Sequence, residues 1–388
     1  MNFKLENNFA AEIIEGETYI LPFGQNIAMQ RKGVKLNPTG EYLWSLMEKT
    51  QDYSEILHSF YHYYEAGNEE DRRQLKADLD EFLNDLKAHR IIRDLGEEQR
   101  KQQMEKTSLS IGGLGISLAI PKEYIHPYFL DFTCDILPKH SILVCLERFT
   151  NRGMSDGEVL IRTDEMIILE KEGSVIFDYK LNSFVKELIY EVDTKTAYLR
   201  LVENAKANEA KEEIFFAIRN AFLYYAAKHH RFAIHSASLI YKDKAWLFSG
   251  HSGAGKSTHT ALWKKLFDVK DLNGDLNLLG FEDNRAVVYG MPWCGTSKIY
   301  TNETYPLGGI VFLSQGEKNE LLPLSKSEKP LYIMQRMISP AWTKRGLDNN
   351  LDMAKRLVAF GIGVWSFRCT KNDEAAEFMK KEIDQWNS

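Results

Sequence analysis

The residues best suited to chemistry stand together at 250–257, where Gly250-His251-Ser252-Gly253-Ala254-Gly255-Lys256-Ser257 spells Gly-x-x-x-x-Gly-Lys-Ser. Such a loop turns backbone N–H groups toward an anion, and a helix opening at the lysine adds the positive end of its dipole. In this reading Gly250, Ser252, Gly253, Ala254, Gly255, Lys256 and Ser257 cradle a nucleotide phosphate chain. Lys256 reaches the β- and γ-phosphates, and the Ser257 hydroxyl is an oxygen ligand for Mg²⁺. The competing reading is a glycine-rich turn that closes a strand–helix unit.

A phosphate loop works with a carboxylate at the end of a neighbouring strand, which holds the metal or takes the acceptor's proton. Asp275 fills that place in Asn273-Gly274-Asp275, a short way beyond the loop helix and just before Leu276, Leu278 and Leu279. It is expected at a strand edge near the phosphates, as catalytic acid–base group and metal ligand, although Asn-Gly-Asp is also good turn sequence. His235 precedes the loop on a strand carrying Phe232, Ala233 and Ile234. It is the second catalytic candidate, with a satisfied core histidine as the alternative. His251 and His259 read as solvent-facing or variable positions.

Met291-Pro292-Trp293-Cys294-Gly295-Thr296 either shapes the acceptor side or is a structural turn, and Cys294 has no acid–base partner visible in sequence. Arg336, Lys344 and Arg345 are candidates for steadying a transferring phosphate, and spacing does not choose among them.

The elements that must position these groups follow from periodicity. Phe232–Tyr241 and Ala245–Phe248 read as strands flanking the polar turn Lys242-Asp243-Lys244, and Lys256–Leu266 as the helix after the loop. Upstream, residues 210–228 give an amphipathic helix through Ile214, Phe215, Ile218, Phe222 and Tyr225, whose Arg219 argues against a membrane segment. Residues 108 to about 205 alternate as short strands, among them Val159–Ile161, Met166–Leu169 and Ser174–Phe177.

At the N-terminus, Ile13-Ile14, Tyr19–Leu21 and Ile27–Met29 predict three strands. Three helices follow: one after Asn37-Pro38, one after Asp52 with Glu55 in a capping-box pattern, and one after Asn68 with Leu75, Leu79, Phe82, Leu83 and Leu86. Residues 96–107 are nearly devoid of apolar side chains and read as a linker between domains 1–95 and 108–388.

At 388 residues, 44 % apolar and 27 % charged, the chain is of ordinary globular composition. Four separated cysteines suggest neither a disulfide framework nor a zinc site. No run approaches the ~18 apolar residues of a membrane span, and no export signal is expected, which points to a cytoplasmic protein without a membrane partner. Residues 1–95 hold 11 Lys and Arg against 17 Asp and Glu, matching the whole chain's net charge of −6. That balance disfavours a nucleic-acid partner, which needs clustered cations.

Residues 232–320 resemble the HPr kinase and phosphorylase family and its relatives near peptide-modification genes. The resemblance lies in IHSASLIYKDKAWLFSGHSGAGKSTHTALW, LNGDLNLL, YGMPWCGT and YPLGGIVFLSQGEKN, with a wider relationship to phosphoenolpyruvate carboxykinases. It extends diffusely over 108–388, with 108–230 as a β-rich and helical extension and 231–388 as the phosphate-loop core. It implies that Gly250–Thr258 cradle ATP, Lys256 contacts phosphate, Ser257 ligates Mg²⁺ and His235 lies near the catalytic acid. The family pattern has two adjacent aspartates, whereas here Gly274 replaces the first and Asp275 matches the second.

Residues 10–95 resemble the PqqD family in EGETYILPFGQNIAMQRKGVKLNPTGEYLWSLMEKTQDYSEI and FLNDLKAHRII. This resemblance implies a winged-helix-like element that takes a leader peptide as an added strand, with Ile27, Met29 and the Leu79, Phe82, Leu83 face as the region of interest or, alternatively, ordinary core.

The expected fold class is therefore an α+β and α/β multidomain chain, a winged-helix-like module joined to an HPr-kinase-like phosphate-loop domain. The expected activity is phosphoryl transfer from ATP, with Mg²⁺, to a Ser or Thr hydroxyl of a ribosomally made precursor peptide. A nucleotide-dependent scaffold serving a co-encoded peptide-modifying enzyme, and a small-molecule kinase, are the alternatives, and the oligomeric state is left open.

Overall fold

A computed structural model describes residues 3–6, 8–28, 32–89, 91–94, 106–148, 157–171, 173–182, 184–202 and 205–386. Two units partition the chain, one holding the described residues up to 94 and the other those from 106 onward. Met29 and residues 96–105 of the expected linker lie outside the described residues, and Thr107 already belongs to a strand.

In the first unit, β1 (Phe3–Leu5) pairs antiparallel with β5 (Ile92–Asp94), and β2 (Phe9–Ile14), β3 (Glu17–Pro22) and β4 (Val34–Lys35) form an antiparallel sheet in that order. Glu15 and Gly16 both take positive φ, 53° and 83°, the twist a two-residue hairpin needs. The segment expected as a third strand at Ile27 is instead the helical turn α1 (Gln25–Ala28). Pro22 ends the ladder, Ile27 N–H closes on the Gly24 carbonyl at 3.2 Å, and the Asn26 side-chain amide donates to the Asn8 carbonyl at 3.1 Å. The third strand is Val34–Lys35.

Helices α2 (Pro38–Met47), α3 (Tyr53–Tyr63) and α4 (Glu69–Ala88) are each capped by the expected side chain: Asn37 accepts from Gly40 N–H, Asp52 from Glu55 N–H, and Asn68 from Asp71 N–H. The capping box at Asp52 is rerouted. The Glu55 carboxylate accepts from the Thr50 hydroxyl at 2.6 Å, and that hydroxyl oxygen accepts from Asp52 N–H at 3.2 Å. Leu79 and Leu83 are fully buried with Ile20, Leu43, Met47, Ile56 and Phe60, so they belong to the core, whereas Ile27 is 62 % exposed.

The second unit begins with an eight-stranded sheet built from β6 (Thr107–Ile111), β7 (Leu114–Ala119), β8 (Ser141–Arg148), β9 (Glu158–Arg162), β10 (Met166–Lys171), β11 (Ser174–Tyr179), β12 (Val185–Glu191) and β13 (Thr196–Leu201). Their order is β6-β7-β8-β13-β12-β11-β10-β9. Helix α5 (Ala207–Lys228) packs its apolar side on this sheet through Ile214, Ile218, Ala221 and Phe222.

The rest surrounds two long strands, β14 (Phe232–Tyr241) and β19 (Thr304–Gln315), each of which changes partner along its length. The first half of β14 pairs with β17 (Leu276–Glu282), and its second half with β15 (Lys244–Ser249) and β16 (Lys270–Asn273). Likewise β19 leaves β18 (Arg285–Tyr289) to run parallel to β15 and β21 (Gly363–Cys369), which carries β20 (Glu320–Leu322) at the edge. Helices α6 (Lys256–Phe267) and α9 (Asp373–Trp386) cover one face around Trp246, Phe248, Trp263 and Met379. Helix α8 (Lys344–Ala359), beside α7 (Glu328–Met334), packs with Ile310, Ile333 and Leu357 in a separate cluster. The partner switches open the sheet where β15 ends, the kind of place where α/β sheets admit ligands.

Candidate active site

Strand β15 delivers the chain into the glycine loop and helix α6 takes it away, so the loop amides gather at a helix N-terminus. Gly250 is required by packing. A Cβ there would lie 2.8 Å from both the Ala254 Cβ and the Leu313 carbonyl oxygen. The Gln315 side-chain amide, at the end of the parallel strand β19, donates to the Gly253 carbonyl at 2.6 Å and fixes the crown of the loop. Ser252, Gly253, Ser257 and Thr258 are exposed, while Ala254, Gly255 and Lys256 are half-buried. The Lys256 ammonium folds back over the loop, donating to the Gly250 carbonyl at 3.3 Å and the His251 carbonyl at 3.4 Å. Burial holds its pKa below the ordinary lysine value, opposed by Asp275 and assisted by Arg336.

His235 sits where β14 changes partner, and Asp275 lies between β16 and β17, which pair with the two halves of β14. Their side chains meet, with His235 Nε2 3.0 Å from Asp275 Oδ1. The backbone around them is tied down from several sides. Ser249 Oγ donates to the His235 carbonyl at 2.6 Å, His235 N–H to the Arg336 carbonyl at 2.8 Å, and Ser236 N–H to the Asp275 carbonyl at 2.9 Å. Beneath lies a buried polar network: Ser238 Oγ donates to Asn277 Oδ1 at 2.6 Å, Asn277 Nδ2 to the Ser236 carbonyl at 2.6 Å, and Asn273 Nδ2 to the Met291 carbonyl at 2.7 Å. Asn273 and Asn277 are fully buried, and such satisfied networks specify one arrangement of the strands they join.

The hydrogen bond from His235 holds the Asp275 carboxyl below its ordinary value, against burial, with Lys256 and Arg219 acting in the same sense as His235. Lys256 and Asp275 thus act on one another electrostatically, each favouring the other's charged form.

Gly274, which stands where the resemblance would put a first aspartate, leaves no room for one. A Cβ would lie 2.1 Å from Ser297 Oγ and 2.6 Å from Ser297 Cβ. Gly274 N–H donates to the Ile299 carbonyl at 2.9 Å, and Ser297 Oγ donates to the Cys294 carbonyl at 2.6 Å, so this loop is fastened against the strand turn. Gly295 brings its backbone against Asp275; a Cβ there would lie 2.8 Å from the Asp275 carboxyl carbon.

Other candidates separate. Trp293 is buried among Phe129, Phe215 and Phe222 and donates from Nε1 to the Phe215 carbonyl at 2.9 Å. Cys294 is 1 % exposed and burial pushes its thiol up, the opposite of what a thiolate nucleophile needs. Arg336 reaches Lys256 electrostatically, whereas Lys344 pairs with Asp348 on the surface of α8 and Arg345 acts on Tyr224 and Lys228. His251 is exposed. His259, expected at a solvent-facing or variable position, is instead 2 % exposed, accepts from Trp263 Nε1 at 3.1 Å through its Nε2, and is pushed down by burial to about 4. It is core because helix α6 must bury one stripe against Phe248 and Phe367.

Arg219 of α5, which the sequence marks only as an argument against a membrane segment, helps lower the pKa of the Asp275 carboxyl through its charge.

Residues 26–92 match the model of the family described as coenzyme PQQ synthesis protein D (PqqD), so the first unit carries a PqqD-like domain. No curated protein matches the chain. Among solved structures, the Hpr(Ser) kinase/phosphatase from Coxiella burnetii is similar over 39 % of this chain and 98 % of its own, at 12 % identity and a TM-score of 0.23. No described helix is long and apolar enough to cross a membrane.

Proposed function

We propose that the chain is an ATP- and Mg²⁺-dependent kinase that phosphorylates a Ser or Thr hydroxyl of a ribosomally made precursor peptide, with the PqqD-like domain holding the peptide's leader. The observation that carries this reading is the Asp275–His235 pair, 3.0 Å apart, on whose carboxylate the Lys256 ammonium of the glycine loop acts electrostatically.

The chemistry follows from these groups. The loop amides and Lys256 hold the β- and γ-phosphates. Asp275, kept ionised by His235, orients the acceptor hydroxyl and takes its proton as the new oxygen–phosphorus bond forms and the γ-phosphorus–oxygen bond to ADP breaks. Ser257 and Asp275 are oxygen donors of the kind a hard divalent cation takes, and Mg²⁺ held there would neutralise charge on the phosphates. Acceptor positioning is assisted by the fusion itself, because a leader bound at one domain raises the local concentration of its own acceptor at the other.

A second reading is favoured by Gly274. With Ser297 filling the space beside it, the site has one carboxylate where the resemblance implies two, which suits a nucleotide-dependent scaffold that presents peptide to another modifying enzyme. Intact-mass spectrometry of the neighbouring-gene peptide after incubation with protein, ATP and Mg²⁺ separates the two. The kinase adds ~80 Da, lost with Lys256→Ala. Nucleotide and leader binding without mass gain supports the scaffold.

A further inference from the structure

The sheet β2-β3-β4 has two edges of different character. On one side β4 offers only Val34 and Lys35, and Lys35 is paired with Glu17 at 2.6 Å. On the other side β2 offers Phe9-Ala10-Ala11-Glu12-Ile13-Ile14, and no described strand pairs with it there. Sheets ordinarily blunt a long apolar edge with charge, proline or a bulge, because its open N–H and C=O groups template pairing with another chain. The register shows which groups are open. Ile14 and Glu17 close the hairpin and Phe23 N–H donates to the Asn8 carbonyl at 2.9 Å, so the even-numbered residues of β2 bond to β3. Ala11 and Ile13 therefore turn their backbone groups away from β3. Ala11 packs, partly buried, against the core of the unit, while Ile13, on the same face of the strand, is 75 % exposed.

We propose that β2 is a dimerisation edge, at which two copies of this chain pair their β2 strands antiparallel about a twofold axis between their Ala11 residues. The sequence selects that register. Open backbone groups meet only where odd-numbered residues face odd-numbered residues. A twofold at Glu12 would set the two carboxylates directly opposite one another, whereas a twofold at Ala11 sets Glu12 opposite Ala10, and Ile13 opposite Phe9 of the other copy. The exposed isoleucine thereby gains an apolar cross-strand partner on the face that carries the core. Such an isologous contact closes on itself, and it leaves the β4 edge of each copy open. The inference is independent of phosphoryl transfer.

The test uses the full chain in sedimentation velocity. Wild type is expected to form a concentration-dependent dimer. Ala11→Pro should weaken it by at least about tenfold, since each copy loses a donor to the other while the bonds to β3 are untouched. If Ala11→Pro does not fold, Ile13→Lys carries the test by placing a charge at an exposed position of the edge: weakened dimerisation supports the assignment and undiminished dimerisation overturns it. A wild type that is monomeric at about 100 μM overturns the proposal, as does a dimer that folded Ala11→Pro leaves intact. Ala11→Cys reads the register, because Cα atoms of a hydrogen-bonded antiparallel pair lie about 5.5 Å apart, within disulfide reach, and mild oxidation should lock the dimer covalently. A dimer that Ala11→Cys does not lock overturns the twofold at Ala11.

Discussion

His235 Nε2 and Asp275 Oδ1 lie 3.0 Å apart although 40 residues separate them, because β14 pairs with β17 on one side of His235 and with β16 just beyond it. The gap between those two partners is where Asp275 stands. The pair is thus a product of strand pairing, and its chemistry can be separated from that of the glycine loop by substitution.

Asp275→Asn keeps the shape of the side chain and removes its basicity. Phosphorylation should fall by at least 10²-fold, the scale of general-base loss, with the affinity for metal-free nucleotide changed little. Lys256→Ala should do the reverse first, weakening nucleotide binding. Titration calorimetry alongside initial rates reads the split, and equal effects of both changes on binding would remove the division of roles.

His235 lowers the pKa of Asp275, so the carboxylate should stay ionised below the ordinary 3.8. By linkage, the stability this group contributes is present above 3.8 and is lost as pH falls through its depressed folded value. Replacing His235 with Asn should move the Asp275 titration upward, read by carbon NMR of the labelled carboxyl. An unmoved titration would show that the 3.0 Å contact does not govern its charge.

Gly274→Asp would appear to restore the missing carboxylate, yet it should destabilise the protein by about 1–3 kcal/mol, since the new Cβ meets Ser297 at under 3 Å and the chain must shift. Pairing it with Ser297→Gly should recover most of that loss in thermal unfolding. A Gly274→Asp protein as stable as wild type would mean the 294–297 loop yields freely.

His259 should make the protein acid-sensitive well above the carboxylate range. Its pKa falls from 6.5 to about 4 on folding, so the unfolded chain binds its proton first and stability is lost as pH drops from 6.5 toward 4. The loss reaches about 3 kcal/mol for a buried group shifted this far. Denaturant midpoints between those pH values should flatten in His259→Phe, and an unchanged slope would contradict a neutral buried imidazole.

The glycine loop, with a strand before it and a helix after it, is legible in sequence because its causes are local: glycines where the backbone must curl, a lysine and serine at fixed spacing, and apolar periodicity on either side. Helix caps at Asn37, Asp52 and Asn68 are legible for the same reason, each being a contact with a backbone group three residues away. Periodicity misread Ile27, where Pro22 and the Asn26–Asn8 contact turn the chain into a helical turn, and it missed that His259 lies on the buried stripe of its helix. Tertiary structure alone decided that Asp275 meets His235 and that Ser297 occupies the space a residue larger than Gly274 would need. Each of these depends on which strands pair and which helix packs over them, relations between segments distant in sequence, which no local pattern encodes.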